Sequence, residues 1–85
     1  MSAPDLETAT AVLAVSLGEL ESLGARFALA ARAHKDALGR RDHDATREEL
    51  SLVGTLLAEA RISYAQAQHQ YSTARAHARM AGEVR

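Results

Sequence analysis

Mostly apolar side chains recur at every seventh residue in both halves of the chain. The two series are Leu6, Leu13, Leu20, Phe27, His34 and Leu50, Leu57, Tyr64, Tyr71, Ala78. Folding the chain back at Asp42 places the series opposite each other, with Leu6 on Ala78 and His34 on Leu50. A smaller series falls in the same register. It pairs Thr10 with Ala74, Leu17 with Ala67, Gly24 with Ala60 and Ala31 with Val53. Alternating spacings of four and three residues are typical of a coiled-coil seam. The pattern therefore predicts an all-α fold, an antiparallel two-helix coiled-coil hairpin.

Start and stop signals divide the predicted hairpin into two arms. They predict a helix over about 4–38, a turn over 39–44 and a second helix over about 45–81, in one domain spanning 1–85. Gly39 suits the residue just past a helix end, while Asp44 and the capping box Thr46–Glu49 mark a helix start. A glycine inside a helix costs about 1 kcal/mol, so a short separate N-terminal helix ending near Gly18 stays open as an alternative.

Charged residues favour the same antiparallel orientation. Residues 1–25 contain only acidic charges, and residues 60–82 contain only basic ones. The predicted register brings Glu7 near Arg75 and Glu21 near Arg61, as in the flanking pairs that select orientation in coiled coils. Because an exposed pair is worth less than about 1 kcal/mol, we expect these pairs to set direction rather than to supply stability.

Composition restricts the class of partner. A formal net charge of -1 and a pI of about 6.4 provide no basic excess for a phosphate backbone, so we expect no nucleic-acid partner. The chain has no cysteine, which favours the reducing cytoplasm. The first residues carry no basic cluster, and Glu19 and Glu21 interrupt the apolar residues that follow. We therefore expect neither a signal peptide nor a membrane span.

The pattern offers no arrangement for catalysis or for a cofactor. The predicted register separates the four histidines: His34 lies in the seam, His43 lies in the turn, and His69 and His77 are eight residues apart on one helix. No carboxylate is spaced to complete a metal site with them. A two-helix rod also lacks a concave site that excludes water. We therefore expect a non-enzymatic chain with no metal, no cofactor and no small-molecule substrate.

One side of the predicted seam is nearly uncharged. Its flanking positions are Ala9, Ser16, Leu23, Ala30, Ala37, Glu49, Leu56, Ser63, Gln70 and His77. Val12, Ala33 and Leu52 lie just beyond these positions. The hairpin alone cannot bury this apolar surface, and such a surplus usually marks contact with another chain. The residues predicted to bind protein are Leu23, Ala30, Ala33, Leu52 and Leu56.

The second helix and the turn carry a resemblance to a known family. An 85-residue hairpin with a polar turn near its middle, and with LSLVGTLLAEARISY at residues 50–64, resembles the small co-chaperones of bacterial type III secretion. Those proteins keep the needle subunit soluble. The resemblance implies a cytoplasmic protein that forms a complex with a helical-repeat chaperone and the secreted needle subunit, with the uncharged side facing them.

Two further classes of function stay open. A structural homodimer could form a four-helix bundle through the same uncharged side. Alternatively, the chain could itself be a small secreted or polymerising hairpin, such as a needle subunit or a hairpin exported by type VII systems. The turn lacks the proline-rich element expected of a needle subunit. The absence of tryptophan disfavours a hairpin exported by type VII systems.

Overall fold

The computed structural model describes residues 5–83 as two helices joined by a short loop. Helix α1 spans Leu6–Asp36 and helix α2 spans His43–Glu83. The helices lie antiparallel in a rod that measures 68 × 20 × 13 Å. Over these described residues there is no strand. The predicted fold class, an all-α antiparallel hairpin, is confirmed.

The helix ends differ slightly from the predicted bounds. The Asp5 carboxylate caps α1 by accepting a hydrogen bond from the backbone N–H of Thr8 at 3.4 Å, while residues 1–4 lie outside the described part. Helix α1 ends at Asp36, two residues before the predicted end. Gly39 adopts φ +83° in the loop, as expected for a residue past a helix end. Helix α2 begins at His43 because the carbonyl of Asp42 already accepts the N–H of Thr46 at 3.0 Å.

Helix α1 is continuous, so the alternative of a separate N-terminal helix ending near Gly18 is not realised. The helix passes through both Gly18 and Gly24 without a break. Its 31 residues pack along α2, and this tertiary contact offsets the helix-propensity cost of two glycines.

The register of the two helices differs from the predicted one by about one turn. Nδ1 of His34 lies 3.2 Å from Oγ1 of Thr46, and the ring of Phe27 lies over Gly54. Both pairs centre the hairpin near residue 40 rather than on Asp42. The predicted pairing of His34 with Leu50 is therefore wrong by one turn of α2. The pairing of Leu6 with Ala78 is wrong as well, and Ala78 is exposed.

Helix α1 is also rotated relative to the prediction. Its second row of seam residues is Ala9, Ser16, Leu23 and Ala30, continued by Ala37 just past the helix end, and all five are buried or half-buried. The predicted row is less covered, since Thr10 and Leu17 are exposed. A register centred near residue 40 pairs small side chains with large ones by position, Ala9 with Tyr71 and Leu13 with Ala67. This arrangement lets the helices approach closely without a clash.

The fully buried core is small. Of the eight buried hydrophobic residues in the described part of the chain, six are alanine and the other two are Val53 and Leu57. The large seam residues Leu13, Leu20, Phe27, Tyr64 and Tyr71 are only half-buried. Since apolar stabilisation grows with the area removed from water, the seam leaves much of the hydrophobic surface of the hairpin uncovered.

The predicted ion pairs of Glu7 with Arg75 and of Glu21 with Arg61 do not form. Residues 5–83 contain one ion pair that joins a carboxylate to a Lys or Arg. It links Nη2 of Arg26 to Oε1 of Glu49 at 3.4 Å. The change of register and rotation separates the predicted partners. The orientation they favoured is nevertheless the one observed.

Two histidines close the loop end of the seam. The rings of His34 and His43 lie 4.6 Å apart with a tilt of 33°. The hydroxyl of Thr46 donates its proton to the carbonyl of His43 at 2.9 Å, so it accepts from Nδ1–H of His34. This contact gives the polar edge of His34 a partner inside the seam.

Replacing Gly24 by alanine should stabilise the hairpin. A Cβ at this position meets no other atom within 4 Å, so the gain in helix propensity of about 1 kcal/mol carries no steric cost. Thermal unfolding followed by circular dichroism should show a Tm higher by roughly 4–8 °C. As a control, Gly39→Ala should lower the Tm, because its φ of +83° disfavours a side chain. A lower Tm for Gly24→Ala would contradict a continuous α1.

The small-against-large seam predicts that enlarging Ala67 destabilises the hairpin. Ala67 is 2% exposed, and leucine there would collide with Leu13, at a cost of about 1–3 kcal/mol. Ala65→Leu adds the same volume at an exposed position and should leave the free energy of unfolding nearly unchanged. Equal denaturation midpoints for the two variants would show that residue 67 does not face α1.

Candidate protein-binding surface

The flat rod has two broad faces, one on each side of the seam. One of them carries Val12, Val15, Leu29, Ala33, Leu52 and Leu56, and we call it the leucine face. Two observations place both helices on this face. The Arg26–Glu49 ion pair crosses it, and a shallow groove on it is lined by Val12, Val15 and Glu19 of α1 and by Ser63 of α2.

Large apolar side chains on the leucine face are open to solvent. Leu29 is 65% exposed, Val15 is 62% exposed and Leu52 is 55% exposed. Leu29 and Leu52 both lie in the half of the rod nearer the loop, where Ala33 and the half-buried Leu56 extend the apolar surface. These residues form the surface that the hairpin itself leaves uncovered.

The opposite face, which we call the arginine face, has a different character. Its charged residues are Glu7, Glu21, Lys35, Asp44, Arg47, Arg61, Arg75 and Arg79, all exposed. Among the described residues, Leu17 is the one large apolar side chain at the helical positions of the arginine face, and it is 38% exposed. Between the charges lie small residues such as Ala28 and Ala31.

Three of the five residues predicted to bind protein lie on the leucine face: Ala33, Leu52 and Leu56. The other two, Leu23 and Ala30, lie in the seam. Ala30 is only 8% exposed, and its predicted place on an open surface is wrong. The physical reason is the rotation of α1, which turns the row of Leu23 and Ala30 toward α2 and brings Leu29 and Ala33 to the surface.

Leu29 and Val15 are residues of this face that the sequence pattern does not assign to it. Both lie one position before a seam residue of α1, Ala30 and Ser16. The pattern of alanines in α1 was the signal that could have found them. The small alanine side chains at 9, 30 and 37 fit opposite the larger Tyr71, Leu50 and His43. Taking these alanines as part of the seam places Val15 and Leu29 on the leucine face.

The leucine face is also more charged than predicted. Its helical positions include four acids, Glu19, Asp36, Glu49 and Glu59, and one base, Arg26. Arg26 and Glu49 are both about half-exposed, so their ion pair contributes less than about 1 kcal/mol. The face is therefore apolar near the loop, with an acidic margin.

Histidines and carboxylates do not gather into a metal site on the described part of the chain. No group of three or more potential ligands occurs within residues 5–83, and the nearest pair of histidines, His34 and His43, is stacked ring on ring. Neither helix, over the same residues, combines the length and apolar character needed to cross a bilayer.

Comparisons with protein-family models, with curated proteins and with solved structures gave no match.

The placement of Ala30 and Ala33 can be tested with a matched pair of variants. Ala30→Glu would bury a carboxylate without a partner and should cost on the order of 3 kcal/mol, whereas Ala33→Glu introduces the same charge at an exposed position. Circular dichroism should show reduced helicity and a lower Tm for Ala30→Glu alone. Small and equal effects of the two variants would fit the predicted rotation of α1, in which both residues lie outside the seam, and would refute the observed one.

Proposed function

We propose that this chain is a non-enzymatic protein-interaction hairpin whose leucine face binds a helical segment of a partner protein. The single observation that carries the proposal is the exposure of Leu29 and Leu52 beside Leu56 and Ala33 on one face. An amphipathic partner helix laid along these residues would remove them from water, which is the usual mode of helix-in-groove recognition.

The energetics of the isolated hairpin support a role that includes a partner. The accessible surface is 6519 Å², whereas a compact protein of 9.1 kDa exposes about 4,900 Å². Much of the excess lies along a thin rod with alanines in its core. Since burial of apolar area is the main stabilising term, binding a helix should both hold the partner and stabilise the hairpin.

The finer form of the proposal is a co-chaperone of protein secretion. It follows from the resemblance of the hairpin to co-chaperones of type III secretion, and it names a helical-repeat chaperone and a secreted helical subunit as partners, in the cytoplasm. An exposed apolar face suits this task, because a polymerising subunit must have its own apolar helix surface covered before export. Self-association is the second candidate, and the charges on the two broad faces favour it.

Leu52→Glu should abolish partner binding without unfolding the hairpin. The variant puts a charge at the centre of the leucine face, so affinity for a needle subunit and its helical-repeat chaperone from the same organism should fall at least about 30-fold. Isothermal titration calorimetry would measure the affinity, and circular dichroism would verify the fold.

Ile62→Glu is the matched control, because Ile62 is 60% exposed on the outer ridge of α2, away from the leucine face. It should bind as the wild type does. Equal binding by the wild type, Leu52→Glu and Ile62→Glu would exclude the leucine face as the interface. If none of them binds the two secretion partners, the co-chaperone form of the proposal fails.

A further inference from the structure

The two broad faces of the hairpin carry opposite net charge. On its helical positions the leucine face has four acids and one base, and the arginine face has five bases and three acids. Apart from the exposed pair of Arg26 and Glu49, none of these carboxylates forms an ion pair with a Lys or Arg among residues 5–83. Each face is thus electrostatically complementary to the other face of an identical molecule.

Along the rod, Asp36, Glu49 and Glu59 of the leucine face lie level with bases of the arginine face, whereas Glu19 lies level with the acid Glu21. Glu59 on the leucine face and Arg61 on the arginine face are two residues apart on α2, about 3 Å along the helix axis. Asp36 and Lys35 are neighbours on α1. If a second copy lies directly over the first, without a shift along the rod, Glu59 of one copy lies close to Arg61 of the other, and Asp36 lies close to Lys35.

Apolar side chains fit the same superposition. Leu29 on the leucine face is level with Ala28 and Ala31 on the arginine face, and Val15 is level with Ala14. Large side chains of one copy therefore meet small side chains of the next, as they do in the seam within each hairpin. This match permits helix layers about 8–10 Å apart.

The contact area is sufficient for a specific complex. A broad face of the rod measures 68 by 20 Å, or roughly 1,400 Å² in projection, and a stable interface needs about 800 Å² from each partner. Covering a little over half of one face would be enough.

We propose that the hairpin stacks on itself face to back, with the leucine face of one copy on the arginine face of the next. The contact joins two different surfaces by translation, so it does not close, and it extends into an open stack. The inference rests on the proposed function in using the same leucine face. A partner helix would compete with the second copy for that face and would dissolve the stack.

Two variants that each disable one face test this geometry. Leu52→Glu disables the leucine face, and the double variant Arg47→Glu/Arg61→Glu disables the arginine face; all three positions are exposed. Analytical ultracentrifugation of the wild type should show a mass that rises with concentration and falls at about 0.5 M salt, where charges are screened within about 4 Å. Each variant alone should stay a monomer. An equimolar mixture should give a 1:1 dimer and no larger species, because one intact leucine face meets one intact arginine face.

Arg32→Glu is the charge-reversal control, since Arg32 lies on the outer edge of α1 and is exposed; it should stack as the wild type does. Stacking by the Arg47→Glu/Arg61→Glu variant would overturn the inference in favour of a symmetric contact between two leucine faces. A wild type that stays monomeric at all concentrations and still binds the secretion partners would overturn the stack and leave the proposed function standing. A monomer that binds none of them would count against both.

Discussion

Packing of small side chains against large ones along the seam is the constraint on which the rest of the structure depends. A register centred near residue 40 pairs Ala9 and Ala30 of α1, and Ala37 just past its end, with large residues of α2, and pairs Ala60, Ala67 and Ala74 of α2 with large residues of α1; all six alanines are buried. This alternation sets the distance between the helices, the rotation of α1 and the register. A shift by one turn along α2 would oppose large residues to large ones at several levels and force the helices apart.

The same packing determines the surface. Because alanines occupy so much of the core, the hairpin buries little apolar area per residue, and its larger side chains remain partly open to water. The rotation of α1 that puts Ala30 in the seam brings Leu29 and Ala33 to the leucine face. A thin core and an apolar face are therefore two consequences of one arrangement, and the proposal of a protein partner rests on both.

Sequence reasoning predicted the class of fold because a seven-residue repeat in both halves is specific to paired helices. It did not predict the register, since the repeat continues unchanged when α2 shifts by one turn. It also chose the row of Thr10, Leu17, Gly24 and Ala31 over that of Ala9 and Ala30, because both rows contain small residues. Hydrophobicity cannot separate such rows, whereas the pairing of sizes across the seam can. Leu52 and Leu56 lie on the predicted side of the hairpin because α2 keeps its predicted rotation.

Disulfide cross-linking is the most direct test of this seam. Because the chain has no native cysteine, only the introduced cysteines can react. In the structure the side chains of His34 and Thr46 lie 3.2 Å apart, so His34→Cys/Thr46→Cys should form an intramolecular disulfide rapidly and almost completely under mild oxidation. His34→Cys/Leu50→Cys, which joins the pair opposed in a hairpin centred on Asp42, should react slowly. Faster closure of the second pair would contradict the observed register and, with it, the assignment of the leucine face.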